Sequence, residues 1–401
     1  MEPYRISVPD KNIKVLKEKL AHATLPDELD GVGWGYGVPL ADLKRLVKYW
    51  RDEYNWREEE AKLNALPNFH KTIDVAGFGD LDIHYLHQPS ESPNSIPLLF
   101  CHGWPGSYVE VTKMLQPLNK EVNGISFSVV APSLPNFGWS QGVRRKDFGL
   151  GQYAEVNHKL MKSLGYERYA TQGGDWGFYI TRTMGLLYPD SIIGSHINMI
   201  RAQAPTFFSH PLLALKHSLI PYTNQDRLGF ARSQWFAEEG SGYRLLQSTK
   251  PQTLGYSLSD SPVGLLAWIF EKLRDWTDNY PWTDTEILTW VSIYYFSTAG
   301  SAANLRIYYE AVHPDVATGG ISRDRTQQWI GDVKLGICQC PRELTVVPST
   351  WAKTLGPVVF ESNKSRGGHF AAWEIPDEIV DDLRKMFGKG GPCYLDPISK
   401  L

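Results

Sequence analysis

The spacing of apolar residues divides the chain into helix-like and strand-like segments. Near the N-terminus, Ile13, Leu16 and Leu20 recur at helical spacing after Asp10, which predicts a helix that Asp10 can cap. From Lys71 the pattern changes to short apolar or alternating runs, such as IPLLF and FSVVAP, that are typical of strands. Because these runs alternate with helical segments, they predict an α/β unit with a largely parallel sheet.

This alternation stops near residue 200, where helical segments rich in Trp and Tyr take over. Short apolar strands return in LGICQC and GPVVF, and DEIVDDLRKMFG predicts a closing helix. We therefore predict one α/β core that a helical lid interrupts and an N-terminal arm precedes. The expected divisions are an arm (1–75), a first core part (76–200), a lid (201–328) and a second core part (329–401).

Composition narrows the classes of function. Of 401 residues, 42% are hydrophobic and 21% charged, and the net charge is only −3, without a block of Lys and Arg that would predict nucleic-acid binding. Apolar runs such as VGLLAWIF are much shorter than the roughly 20 residues that span a bilayer, so no membrane span is expected. The four cysteines form no disulfide framework and no paired zinc motif, which fits an intracellular compartment and predicts no metal site.

Asp175 lies between glycines in TQGGDWGFYI, where a strand passes into a helix. One interpretation is an ordinary helix cap, for which Asp is favoured. The other is a nucleophile, because GGDWG matches the G-x-nucleophile-x-G elbow of α/β-hydrolases with Asp in place of Ser. That fold supplies a nucleophile, an acid and a histidine in this chain order, and Glu343 and His369 each follow a short strand downstream.

Upstream, the residues HGWPGS follow the strand IPLLF. A tight turn there would direct the N–H of Trp104 at the elbow, and the N–H of Trp176 would be the second donor of an oxyanion hole. A plain turn explains the same residues equally well.

A carboxylate nucleophile indicates the reaction class. It is suited to a saturated carbon with a strained or good leaving group, where it forms an alkyl ester of the enzyme. Water activated by His369 would then attack the carbonyl carbon of Asp175, while Glu343 orients the imidazole and stabilises its charged form. Epoxides and alkyl halides are substrates of this kind.

Eight ordered motifs spread over nearly the whole chain together resemble the epoxide hydrolases of the microsomal type, and especially their soluble fungal relatives. The resemblance implies an Asp nucleophile, an acid and a His base, which fall on Asp175, Glu343 and His369. It also implies two lid tyrosines that protonate the epoxide oxygen, which fall on Tyr243 and Tyr308. The motifs are HGWPGS, PSLPNFGWS, QGGDWG, SGYRLLQSTKP, SDSPVGLLAWIFEK, LRIYYE, CPREL and GGHFAAWE.

Three details qualify this resemblance. Tyr309 is the rival of Tyr308, and the register of the flanking Arg and Glu favours Tyr308. Asn136 replaces a glycine that is usual in the family, and Cys340 replaces a common Phe, so both affect the expected pocket shape rather than the chemistry. The resemblance also implies that homodimers are possible.

The sequence thus predicts a cofactor-independent hydrolase that converts an apolar epoxide to a vicinal diol. A haloalkane-type dehalogenase and a family member that opens epoxides with an internal hydroxyl group remain alternatives. The terminal Ser399-Lys400-Leu401 is the S-K-L peroxisomal address that an import receptor reads. Peroxisomal localisation motivates the expectation of a fatty-acid-derived or specialised-metabolite epoxide.

Overall fold

The structure, a computed structural model, describes residues 2–395 of the chain. The predicted peroxisomal signal at 399–401 lies outside the described residues and stays a prediction. All four cysteines are described, and each is buried and free of disulfides. Among residues 2–395, no helix combines the length and the apolar character that crossing a bilayer requires.

Nine strands of the described chain form one sheet in the order β1-β2-β3-β5-β4-β6-β7-β8-β9. The first three strands and β5 pair antiparallel, and from β5 to β9 every pairing is parallel, which confirms the predicted, largely parallel sheet. The strands are β1 (Glu2–Pro3), β2 (Asn68–Val75), β3 (Gly79–Gln88), β4 (Ile96–Cys101), β5 (Phe127–Pro132), β6 (Tyr169–Gly173), β7 (Ile192–Ile197), β8 (Leu335–Gln339) and β9 (Val358–Asn363).

Helices cover both faces of the sheet, form a lid above one edge of it, and make up most of the N-terminal segment. Those before the lid are α1 (Asp10–Ala21), α2 (Leu40–Asp52), α3 (Trp56–Asn64), α4 (Thr112–Asn119), α5 (Leu150–Ser163) and α6 (Trp176–Leu187). Those that follow β7 and precede β8 are α7 (Pro211–Leu219), α8 (Asn224–Trp235), α9 (Gly242–Thr249), α10 (Pro251–Asp260), α11 (Pro262–Asp275), α12 (Asp284–Tyr295), α13 (Arg306–Val312) and α14 (Arg323–Thr326). The last are α15 (Ser349–Ala352), α16 (Ala371–Glu374) and α17 (Pro376–Phe387).

The first helix forms where the apolar spacing predicts it, with Leu16 and Leu20 buried. It begins at Asp10 itself, and the preceding Pro9 occupies the cap position, so the expected cap by Asp10 is wrong by one residue. In the first turn the Asp10 carboxylate still faces the positive end of the helix dipole. A few polar contacts then join the arm to the lid, such as that between the hydroxyl groups of Tyr49 and Thr285, 2.9 Å apart.

The central strands β5, β6 and β7 are buried along their whole length, because helices cover both faces of a parallel sheet. Their carboxyl ends therefore meet at one edge, which is where α/β folds bind ligands. Hydrogen bonds attach the lid to the loop after β4 at this edge, and in one of them Trp104 donates its indole N–H to the side-chain oxygen of Asn304 at 3.0 Å. Trp290 donates its indole N–H to the carbonyl of Pro105 (2.5 Å), and Tyr294 donates its hydroxyl to that of Gly106 (2.6 Å).

Candidate active site

Asp175 occupies the sharp turn between β6 and α6. Its φ of +49° and ψ of −124° are uncommon for a residue with a side chain, and such strain concentrates at functional sites. Although Asp175 stands at the cap position of α6, its side chain makes no capping hydrogen bond. The carboxylate instead accepts a hydrogen bond from outside the helix, from the N–H of Trp104, which removes the ordinary explanation of an aspartate at this position.

The glycines around Asp175 permit a close approach of three backbone segments. A Cβ atom on Gly103 would overlap the Asp175 carboxylate, and one on Gly177 would overlap the carbonyl of Cys101 at the end of β4. Glycine is therefore required at both positions, in the loop after β4 and in the first turn of α6, because any side chain there would push the elbow away from the neighbouring strand.

The two oxygens of Asp175 have different partners. Oδ1 accepts the backbone N–H of Trp104 at 2.7 Å, and Oδ2 lies 3.4 Å from Nε2 of His369. Trp176 is the first residue of α6, so its N–H is one of the donors that the helix leaves unpaired, although it makes no hydrogen bond to the carboxylate. One predicted oxyanion donor thus binds Asp175 directly, and the other lies next to it in the chain.

His369 and Glu343 are both buried and form a short hydrogen bond, with 2.6 Å between Nδ1 and Oε1. The same carboxylate oxygen accepts the N–H of Leu344 at 2.6 Å, which fixes the acid in its loop. Burial alone would lower the pKa of His369, but the charges of Glu343 and Asp175 and the hydrogen bonds to them outweigh it and raise the pKa above its ordinary value. The structure thus brings the three predicted residues into one chain of contacts.

Tyr243 of α9 and Tyr308 of α13 lie over this group from the lid side. The ring of Tyr243 stacks on Trp104, and the ring of Tyr308 meets Trp176 edge-on with centroids 4.7 Å apart. The hydroxyl of Tyr308 is buried and has no hydrogen-bond partner among the described residues. Burial raises the pKa of both phenols, and the nearby charge of Asp175 adds to it, so both stay protonated at neutral pH.

Tyr309, the rival of Tyr308, lies in a different environment. Its side chain is 38% exposed, compared with 3% for Tyr308, and its ring stacks on His313 with centroids 4.1 Å apart. The turn of α13 therefore directs only one of the two adjacent tyrosines at Tyr243, whose ring centroid is 5.9 Å from that of Tyr308.

Glu110 is a buried residue of the site that the sequence analysis does not single out. It lines the same small cavity as Asp175 and His369, and its Oε1 is buried without a hydrogen-bond partner among the described residues. Burial raises its pKa to about 8, with the charge of His369 opposing and that of Asp175 adding to the shift. A carboxyl group in the otherwise apolar run YVEV is the signal that could have identified it.

The two departures from the family pattern have local explanations. Asn136 has a φ of +72°, a left-handed conformation that glycine adopts freely and that Asn tolerates better than most residues. Its side-chain amide also accepts the N–H of Val143 at 2.7 Å and donates to the hydroxyl of Tyr153 at 3.1 Å. Cys340 is buried, and its carbonyl accepts the N–H of Glu343 at 3.3 Å, so it supports the loop that carries the acid.

Within residues 2–395, no three His, Cys, Asp or Glu side chains come together as a set that could hold a metal ion. The reactive groups at this edge of the sheet are a carboxylate, an imidazole paired with a second carboxylate, two phenols and a buried carboxyl group.

Comparison with known proteins agrees with this geometry. The family described as "Epoxide hydrolase N terminus" matches residues 1–111, and the alpha/beta hydrolase fold matches residues 96–217. Juvenile hormone epoxide hydrolase 1 of Ctenocephalides felis is 34% identical over 407 residues, which cover 96% of this chain and 84% of the relative.

Two solved structures have the same fold over almost the whole chain. The juvenile hormone epoxide hydrolase of the silkworm Bombyx mori superimposes with a TM-score of 0.85 at 31% identity, covering 96% of this chain and 93% of the other. The epoxide hydrolase of Aspergillus niger gives a TM-score of 0.81 at 32% identity, covering 95% and 94%. With its strained aspartate elbow, its paired histidine and its two buried lid tyrosines, the chain belongs to the epoxide hydrolase family of α/β-hydrolase enzymes.

Proposed function

We propose that this epoxide hydrolase opens its substrate in two steps through an ester on Asp175, and that the product is a vicinal diol. The observation that carries the proposal is that the two oxygens of Asp175 have different hydrogen-bond partners. Oδ1 is bound to the N–H of Trp104 at 2.7 Å, whereas Oδ2 has no backbone donor and lies beside His369. The freer oxygen, Oδ2, is the one that can attack a carbon atom.

In the first step, Oδ2 forms a bond to one epoxide carbon while the bond between that carbon and the epoxide oxygen breaks. The oxygen takes a proton from Tyr243 or Tyr308, whose raised pKa values keep both phenols protonated until negative charge develops beside them. A halide leaves as an anion and needs no such proton. The pair of buried phenols therefore supports epoxide opening over the dehalogenase alternative.

In the second step, the charge state of His369 changes its role. The pKa of His369 is raised in the free enzyme partly because Asp175 is anionic. Once Asp175 is a neutral ester, this contribution disappears and the pKa falls, so the imidazolium releases its proton, which restores the phenol that gave up a proton in the first step. The neutral imidazole can then accept a proton from water. The resulting hydroxide attacks Cγ of Asp175, and the N–H of Trp104 stabilises the oxyanion on Oδ1 until the diol leaves.

We also propose that Glu110 holds the attacking water. The cavity that Glu110 shares with Asp175 and His369 has a volume of about 10 Å³, which is room for a single water molecule. Since the pKa of Glu110 is about 8, its carboxyl group is mostly neutral at pH 7 and can both donate to and accept from that water. His369 would then remove the proton from a water whose position is already defined.

Heavy-oxygen labelling in a single turnover tests this function. In H₂¹⁸O we expect an unlabelled diol and labelled Asp175, because the diol takes its second oxygen from the carboxylate and water replaces it. Label in the first diol, or turnover by Asp175→Ala, would contradict the mechanism. A product that stays unlabelled over many turnovers would instead indicate epoxide opening by an internal hydroxyl group. Homodimer formation and peroxisomal import stay predictions of the sequence.

A further inference from the structure

Three arginines lie on the segments between β7 and β8 that form the lid and its junction with the sheet. Arg201 follows β7 at the carboxyl edge of the sheet, Arg244 follows Tyr243 on α9, and Arg323 begins α14. The Nε atom of each is buried and donates no hydrogen bond to a described residue. The three guanidinium groups are close enough for the charges of Arg201 and Arg323 to act on Arg244.

These arginines also lack close counter-charges. Within residues 2–395, no carboxylate oxygen lies within 4.0 Å of a side-chain nitrogen of Arg201 or Arg244. Arg323 lies 4.0 Å from Asp324, but that carboxylate is 82% exposed to solvent and so neutralises little of its charge. Burial, followed by the repulsion from Arg323 and Arg201, lowers the pKa of Arg244.

Other buried arginines of this chain are satisfied by the protein itself. Arg182 donates its Nε to the carbonyl of Thr326 at 2.5 Å and its Nη2 to two further carbonyls at 2.7 Å. Arg232 likewise donates to three backbone carbonyls. A structural role thus comes with carbonyl acceptors in this protein, and Arg201, Arg244 and Arg323 have none. The unpaired Nε donors of the three arginines, and the repulsion that Arg323 and Arg201 exert on Arg244, cost free energy unless an anion binds between them.

The cluster adjoins the reacting groups. The guanidinium group of Arg201 lies over the ring of Phe236, 5.9 Å from its centroid, and Phe236 meets Trp276, which packs against both Tyr243 and His369. Arg244 directly follows Tyr243 on α9. A substrate whose epoxide contacts Asp175 and Tyr243 would therefore extend towards the guanidinium groups with its other end.

We propose that Arg201, Arg244 and Arg323 form an anion subsite, and that the substrate carries an oxyanion group, most simply a carboxylate, on the same molecule as the epoxide. The planar guanidinium group suits this ligand because it donates two parallel hydrogen bonds to a carboxylate or phosphate. This inference rests on the proposed function for the reacting end of the substrate and adds the chemistry of the other end.

A matched pair of substrates tests the subsite in the full-length enzyme. Epoxystearic acid and its methyl ester differ only at the end that the arginines would bind. We expect kcat/KM for the acid to exceed that for the ester by about tenfold, through KM, which is the loss expected for one charge-assisted hydrogen bond. Added salt should raise KM for the acid and leave KM for the ester unchanged, because it screens the attraction. An epoxyalkyl phosphate as a third substrate distinguishes phosphate from carboxylate.

Single substitutions assign the effect to the cluster. In Arg244→Gln and Arg201→Gln the ratio of acid to ester kcat/KM should fall towards one, and Arg244→Lys should retain part of it. Arg168→Gln is the matched control, since Arg168 is exposed and precedes β6 at the opposite edge of the sheet, and it should retain the wild-type ratio. Thermal unfolding of each variant shows whether it is folded.

The outcomes separate this proposal from the one on which it rests. If the wild-type enzyme hydrolyses acid and ester equally well, or if both glutamine variants keep the preference for the acid, the anion subsite is wrong and the epoxide chemistry stands. If neither compound is hydrolysed, but calorimetry shows that epoxystearate binds wild-type protein more tightly than Arg244→Gln, the subsite stands and the proposed reaction is wrong.

Discussion

The indole ring of Trp104 stacks on the phenol ring of Tyr243, with centroids 5.1 Å apart and 13° between the ring planes. The backbone N–H of the same tryptophan binds Oδ1 of Asp175 at 2.7 Å. One residue of the core therefore positions both the nucleophile and a proton donor of the lid. The acid and the nucleophile keep their relative position because both contact the same rigid side chain and loop.

Replacing the lid phenols should separate epoxide opening from other displacements. We expect Tyr243→Phe and Tyr308→Phe each to lower kcat/KM for an epoxide by about 10²-fold, within the range for general acid catalysis, and the double variant to lower it further. Tyr309→Phe is the control and should leave the rate unchanged, because Tyr309 is exposed. An epoxide rate unaffected in the double variant would show that the two phenols are not the proton donors.

Removing the charge of Glu343 should slow the second step more than the first. In Glu343→Gln, His369 loses the 2.6 Å contact with a carboxylate that raises its pKa and stabilises its charged form. We expect the ester on Asp175 to accumulate and to appear as a substrate adduct in the intact-protein mass. Glu361→Gln, on the partly exposed strand β9, should show no adduct. If the variant hydrolyses its ester at the wild-type rate, Glu343 is not the partner of the base.

Glu110 should act as a neutral group, and the pH profile tests this. Below its pKa of about 8 the carboxyl group of Glu110 is protonated and neutral, like the amide of glutamine, so Glu110→Gln should nearly preserve kcat at pH 7. Glu110→Leu cannot hold the water and should lower kcat on the order of 10²-fold. As the pH rises through about 8, wild-type kcat should fall because a new anion faces the developing oxyanion. The glutamine variant cannot ionise, so its fall should begin at higher pH. Identical profiles would exclude this role.

A buried ion pair under the sheet predicts how stability depends on pH. Burial opposes the charge of Asp382, but His196, together with the 2.9 Å contact to Lys364 and the hydroxyl of Ser362, outweighs burial and lowers the pKa to about 2. Because this folded-state pKa is below the unfolded value, the stabilisation is present above about pH 4 and is lost as the pH falls towards 2.

Asp382→Asn should therefore lower the free energy of unfolding by about 3 kcal/mol at pH 7, since it leaves Lys364 buried without its counter-charge. Urea unfolding at several pH values measures this difference, which should shrink as the pH is lowered from 4 towards 2. Asp381→Asn on the exposed face of α17 serves as the comparison and should change stability by less than about 0.5 kcal/mol. A pH-independent difference would argue against the ion pair.

Local patterns were sufficient for much of this protein. The alternation of strands and helices predicted the parallel sheet, and the glycines around Asp175 predicted the elbow, because both depend on residues close together in the chain. Chain order then pointed to Glu343 and His369, and the structure places His369 between Asp175 and Glu343. The choice of Tyr308 over Tyr309 was weaker, since two adjacent residues differ only in the direction that the helix gives their side chains.

The sequence by itself determined the fold class, the strained nucleophile turn and the reaction family, because each is encoded by backbone preferences and residue order over short stretches. Only the tertiary structure decided which side chains share a space. Glu110 and His369 line one cavity although they are 259 positions apart in the chain. Arg201 and Arg323, whose charges both act on Arg244, also come from distant segments. Burial, unpaired donors and repulsion between like charges arise from such long-range contacts, and they define the water position and the anion subsite that we propose.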